Sequence, residues 1–179
     1  MVRLKKWILA AMLALSWIIF SLPATGAEPA GEQIWMNRAF RFGSYDFRII
    51  RVEWLRANGY LVPLGQPDSS GRGAVVLTVV LRNAGKTPDH LPTPDIAVAL
   101  GDGNKTTTEA RFPYDVTGKR LGLDVYAPGE GSTVRYIIAS VPQPTAGNPI
   151  TKITFSPRNS GDGGPGILRL YNPPVSISN

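Results

Sequence analysis

Cysteine is absent from this chain of 179 residues, and histidine occurs once, at His90. The first absence removes disulfides, thiol nucleophiles, haem held through paired cysteines, and cysteine-based zinc or iron–sulfur sites. The second leaves a Ser-His-Asp triad a single possible base. His90 lies between Asp89 and Leu91 in a proline-bearing stretch, and no Gly-x-Ser-x-Gly elbow occurs anywhere. Zinc and copper sites draw on several imidazole, thiolate or thioether ligands, and beyond residue 27 only His90 and Met36 are available. The glycine-rich stretch 161–166 lacks the Lys-Ser/Thr that completes a phosphate-cradling loop. No cofactor is expected. Beyond residue 27 there is also no long apolar run and no amphipathic helical period.

The exception to that last absence is the N-terminus. Arg3, Lys5 and Lys6 precede an apolar run from Trp7 to Leu22; Pro23 stops it, and Thr25-Gly26-Ala27 follows. A basic start, an apolar middle and a small-residue end describe a secretory signal peptide, here expected to be cut after Ala27. The rival reading is an uncleaved anchoring helix, but the run is shorter than the ~20 residues a helix needs to cross the hydrocarbon layer, and Pro23 disfavours its continuation. The expected mature protein is therefore residues 28–179, secreted or periplasmic, with no membrane span of its own. Arg3, Lys5 and Lys6 account for half of the formal charge of +6, so the remainder is only mildly basic and gives no reason to expect nucleic acid.

Glycine (19) and proline (16) gather between runs that are β-branched and aromatic, a spacing that predicts short strands joined by turns. After a polar lead-in from Ala27 to Gly31, residues 38–42 alternate and Gly43-Ser44 allows a turn. Tyr45, Phe47 and Ile49 then share one phase; after Ile50 the phase flips, and Ile50, Val52 and Trp54 become the apolar set. A one-residue shift of this kind predicts a β-bulge inside one long strand, Tyr45–Arg56. Asn58-Gly59 and residues 63–73 read as turn and loop. The run 74–81 is apolar on both faces and should be a central strand. Short strands are expected at 96–100, 106–112, 133–139, 151–156 and 167–171, with a brief apolar stretch at 121–125 and a tight hairpin at Asp102-Gly103. Pro173 and Pro174 should limit pairing beyond. The sum is eight or nine strands in a single all-β domain, an antiparallel β-sandwich.

The strand end Arg82-Asn83-Ala84-Gly85-Lys86, the turn Asp102-Gly103-Asn104, Pro128-Gly129-Glu130 and the strand closing on Val141-Pro142 resemble a known pattern. It is that of the exported bacterial immunoglobulin-like domains grouped with a secreted immunoprotective antigen, most without an assigned function. The resemblance covers about residues 38–157. It implies an immunoglobulin-like sandwich and an exported location, and it supplies no catalytic residues. A related resemblance is to small immunoglobulin-like protease inhibitors, which share the Asn-x-Gly strand end and the Pro-Gly-Glu turn.

Carboxylate-only chemistry would need two acids facing each other across a cleft. Asp46, Glu53, Asp102, Glu109, Asp124 and Asp162 are not paired by any spacing, and Asp in turns bonds its own backbone. Calcium at Asp102 and Asn104 would have too few acidic ligands. The chain therefore reads as a non-enzyme. A partner face is the remaining candidate: Arg38, Arg41, Arg48, Arg51 and Trp54 interleave with Phe40, Phe42, Tyr45 and Phe47, a makeup common to binding faces, although plain alternation produces the same pattern. The expected function is that of an exported binding or envelope-associated module recognising a protein or glycan through loops or a sheet edge. The alternatives are a protease inhibitor and a structural subunit of a cell-surface assembly.

Overall fold

A computed structural model describes residues 31–56, 71–108, 113–122, 124–157 and 166–178. The leader with Ala27, the Asn58-Gly59 turn, most of the 63–73 and 161–166 loops, Glu109 and Asp162 lie outside them. Twelve strands are described: β1 (Gly31–Ile34), β2 (Phe40–Phe42), β3 (Tyr45–Arg56), β4 (Arg72–Asn83), β5 (Asp89–His90), β6 (Asp95–Leu100), β7 (Lys105–Thr108), β8 (Val125–Tyr126), β9 (Gly131–Pro142), β10 (Ile150–Ser156), β11 (Ile167–Tyr171) and β12 (Ser176–Ser178). One sheet runs β1-β11-β10-β6-β7; the other runs β12-β3-β4-β9 with β2 also on β3; β5 and β8 form a small third ladder. No helix among the described residues is long and apolar enough to cross a membrane.

The alternation seen in sequence becomes rows of core side chains. Ile34, Leu170, Ile153 and Val98 stand side by side across the first sheet, as do Leu168, Phe155 and Ile96. In the second sheet the rows are Ile49–Val79–Val134, Val52–Leu77–Tyr136 and Trp54–Val75–Ile138. All of these are buried and form one continuous cluster. Cross-strand contacts between β-branched and aromatic side chains of this kind stabilise a sheet, and the shared core makes the two sheets a sandwich.

The predicted bulge is present. The register of β3 against β4 shifts between Ile49 and Arg51, so Ile49 and Val52 both face inward while Ile50, the extra residue, is exposed. Ile50 therefore does not join the core as expected; it is the unpaired residue of the bulge. Asn37, in the left-handed region at φ 60°, donates its N–H to the Ile49 carbonyl at 2.9 Å. That bond gives the interrupted edge of β3 a partner between β2 and β12. A second shift lies between Gly73 and Val75. There Ser140 takes φ 58°, and its carbonyl accepts two bonds from the Arg72 guanidinium.

The strand count exceeds the expected eight or nine because β1, β5 and β12 carry no alternation. β1 starts at Gly31, where the expected polar lead-in ends, and its Glu32 and Gln33 are exposed. β12 begins two residues after Pro174. Both lie along a partner in parallel, β1 on β11 and β12 on β3, so the sandwich is antiparallel except at its two terminal strands. A strand that pairs on one side only needs no buried face, and periodicity does not reveal it.

Candidate binding surface

Of the five residues expected to form a partner face, the structure brings three together. Arg41, Arg48 and Arg51 lie on the solvent face of the β2-β3-β4-β9 sheet, opposite the core rows. Trp54 does not join them. It is 1% exposed, in the row with Val75 and Ile138, and its indole N–H donates to the Val141 carbonyl at 3.1 Å. The phase flip that places Val52 inward places Trp54 inward as well. Arg38 lies elsewhere, in the crossover between β1 and β2.

That crossover forms a concave site of about 200 Å³ lined by Glu32, Gln33, Ile34, Trp35, Arg38 and Phe40. Trp35 is 53% exposed, and the Arg38 guanidinium stands 5.9 Å from its ring centroid, within cation–π range. Ile34, one residue before, is buried in the core. Trp35, the first residue after β1, stands outward, and Asn37 with its positive φ redirects the chain toward the second sheet. Sequence reasoning missed Trp35: between Ile34 and Met36 it resembles a core position.

The solvent face has its own order. Arg41, Asp46, Arg82 and Gly131 occupy one row; Arg48, Val80 and Thr133 the next; Arg51, Thr78 and Arg135 the third. Asp46 pairs with Arg41 at 3.3 Å, and Glu53 with Arg51 at 2.8 Å. Arg82 Nε donates to the Gly129 carbonyl. Arg48 is exposed and has no ion pair or hydrogen bond among the described residues.

The remaining candidates have structural roles. His90 is exposed, its N–H bonded to Asp89 Oδ1, while Ser44 donates to the other oxygen of that carboxylate. Met36 packs against the core. No group of three or more His, Asp or Glu side chains suited to a metal occurs among the described residues. At the calcium candidate, Asp102 Oδ1 accepts from the Asn104 N–H, and Oδ2 accepts from the Asn104 and Asn148 side chains. Those oxygens are occupied by N–H donors, chiefly the Asn104 backbone, which hold the carboxyl below the usual carboxylate range. A depressed folded-state value stabilises the charged hairpin above the ordinary carboxylate range, and that stabilisation is lost as pH falls through the folded value. The protection of the Asn104 amide, measured against its intrinsic exchange rate at each pH, should therefore fall on acidification in the wild type; in Asp102→Asn, which removes the titrating group, it should show no such acid step.

Two buried tyrosines tie the 89–92 segment to the sheets. Tyr45 donates to the Asp89 carbonyl and Tyr136 to that of Pro92. Burial, with Asp89 nearby, pushes the Tyr45 hydroxyl from 10.0 up to about 12. Burial also raises that of Tyr136. Both are hydrogen-bonded core groups.

No family model matches the chain, and no curated protein matches it. Solved structures that match it include two secreted or β-sandwich proteins. One is an uncharacterised β-sandwich protein from Clostridium difficile 630, 15% identical, with a TM-score of 0.56 over 83% of this chain and 99% of that one. Another is MPT63, a secreted protein from Mycobacterium tuberculosis, 9% identical, with a TM-score of 0.47 over 80% of this chain and 99% of that one. At such identities likeness speaks for architecture alone, and the all-β sandwich read from the sequence is the architecture found.

Proposed function

We propose that this chain is an exported, non-catalytic binding module that recognises a protein partner at the Trp35–Arg38 site and the adjoining edge of β1. The carrying observation is the exposed Trp35 beside Arg38 at the rim of a concave site. Tryptophan and arginine dominate binding hot spots because each offers a large, stiff surface with a polar handle. Beside them β1 pairs only with β11 among the described strands, leaving an outer edge of N–H and C=O groups. An extended segment of a partner can add to such an edge by backbone pairing.

Export rests on the residue pattern of the leader. Cutting after Ala27 would make Glu28 the new N-terminus, three residues before Gly31 in the sequence. Asp46 and Glu53, two of the acids weighed for carboxylate chemistry, each face an arginine, which supports a non-catalytic role.

The test uses protein recovered from the exported fraction, where mass spectrometry should find Glu28 at the N-terminus. Quantitative capture from an envelope extract is then compared for wild type, Trp35→Ala and Arg38→Glu. At least one protein should be retained about ten-fold less by both variants, the loss expected when a hot-spot side chain worth at least ~1.4 kcal/mol is removed. Identical capture profiles for all three would refute the reading.

A further inference from the structure

A different part of the molecule carries a second recognition surface, independent of the Trp35 site. We propose that the solvent face of the β3-β4-β9 sheet binds a linear polymer of sugar or polyol units joined through phosphate. Its anchors are Arg48, Arg82, Arg51 and Arg135.

The bulge creates this face. Without the bulge, strict alternation through Ile50 would put Ile50 outward beside Arg48 and turn Arg51 into the core. With it, Arg48 and Arg51 occupy consecutive rows on the same side, separated by one pleat repeat of about 7 Å. Bulges commonly re-aim side chains in this way at functional sites.

The arginines then fall into two sets. Arg48, opposite Val80, is the diagonal neighbour of Arg82, a relation that leaves about 7–8 Å between backbones, within reach of two long side chains. Arg51 and Arg135 flank Thr78 in the next row. Two like charges on a diagonal repel each other unless an anion lies between them, and here nothing among the described residues neutralises Arg48. Arg135 is half-buried, and its Nε is shielded from solvent without a hydrogen-bond partner among the described residues. Such a poorly solvated cation gains more from an arriving oxyanion than a freely hydrated one does.

The acids on this face are accounted for. Asp46 is held by Arg41 and Glu53 by Arg51. Glu130, in the turn before β9, accepts the Ala127 N–H. Arginines therefore outnumber acids on this face, and Arg48 has no acidic partner among the described residues.

Three features select the ligand. The cations are all arginines, whose planar forks donate paired hydrogen bonds to oxyanions. They stand on three neighbouring strands, so an anion lying across the sheet meets donors from more than one strand. A tetrahedral phosphate can accept from several at once, whereas a carboxylate accepts in one plane. Finally, Phe42, Tyr45 and Phe47 are all turned into the core, and Tyr114, paired with Arg135 at the edge of β9, is half-buried, so Arg48 and Arg82 have no exposed ring of β3 beside them on which a nucleobase could stack, as single-stranded nucleic acid requires. A flat, two-row array suits a chain with recurring charges.

The test is calorimetric titration of the mature protein with poly(glycerol phosphate), with polygalacturonate and oligothymidylate at matched charge. Binding to poly(glycerol phosphate) should weaken with added salt, as phosphate contacts to arginine do. Arg48→Glu should weaken it by about ten-fold or more, since a charge-assisted contact is lost and a repulsion gained. Arg82→Gln provides a second variant that should weaken it with the melting temperature preserved. Lys105→Glu, on the hairpin of the other sheet, should leave the affinity within about two-fold of wild type. The proposal is overturned if poly(glycerol phosphate) fails to bind, or if Arg48→Glu and Arg82→Gln bind like wild type. Equal affinity for polygalacturonate or oligothymidylate would equally overturn it, by showing a surface that reads charge alone.

Discussion

Replacing Asn83 with alanine should lower the unfolding free energy by about 3 kcal/mol, because several buried polar groups lose their partner together. Asn83 closes β4 and is wholly buried. Its side-chain NH₂ donates to the Thr87 carbonyl at 2.9 Å and the Tyr126 carbonyl at 2.8 Å, and its Oδ1 accepts the Gly85 N–H at 2.8 Å. Its backbone is engaged as well, donating to Glu130 and accepting from Gly129. The side chain thus fastens the end of β4 to the turn after it and to β8, while the backbone of the same residue holds the Pro128–Glu130 turn. Alanine would leave two carbonyls and an N–H without protein partners in a space shaped for an amide. Urea unfolding read by tryptophan fluorescence measures the effect. A loss below about 1 kcal/mol, the net worth of a single ordinary hydrogen bond, would show that the clasp contributes little.

Trp54→Ala should cost about 3–5 kcal/mol, the usual range for emptying a buried aromatic site. The indole lies over Gly73, which is buried opposite it; a Cβ there would run into the Leu55 carbonyl and the Trp54 ring. Glycine at 73 is thus the space into which the ring fits. Trp54→Phe keeps part of that volume and loses the bond to Val141, so it should cost about 1–3 kcal/mol less than alanine. If alanine and phenylalanine were equally mild, Trp54 would not be the packing element described. The substitution also separates the two readings of this residue: as a core side chain it governs stability, and as a surface contact it would have left stability unchanged.

Trp54 shows how far the sequence could be read. The phase flip after Ile50 was legible and implied a bulge, and the same flip carried Trp54 into the core. Grouping it with the arginines followed composition where periodicity already pointed elsewhere. The strands that face a core on at least one side, from Tyr45–Arg56 to Ile167–Tyr171, could be read because burial imposes a period of two. β1 and β12 could not, since they gain their stability from a neighbour's free edge. The motif at Asn83 was visible as a strand end, but its meaning was not: its partners lie at Gly85, Thr87, Tyr126, Gly129 and Glu130, and only the fold brings the last three near. The Arg82, Arg135 and Arg48 array was hidden for the same reason, as it depends on register between strands far apart in the chain.

The pairing of β1 with β11 joins Gly31 to Ile167, nearly the two ends of the described chain. Contacts between such distant segments close late, because the long intervening loop must first be ordered. A polypeptide threaded outward from its N-terminus would deliver β1 first and β11 among the last. Were the chain exported N-terminus first, as proposed, the sheet that β1 and β11 share would stay incomplete until β11 had followed.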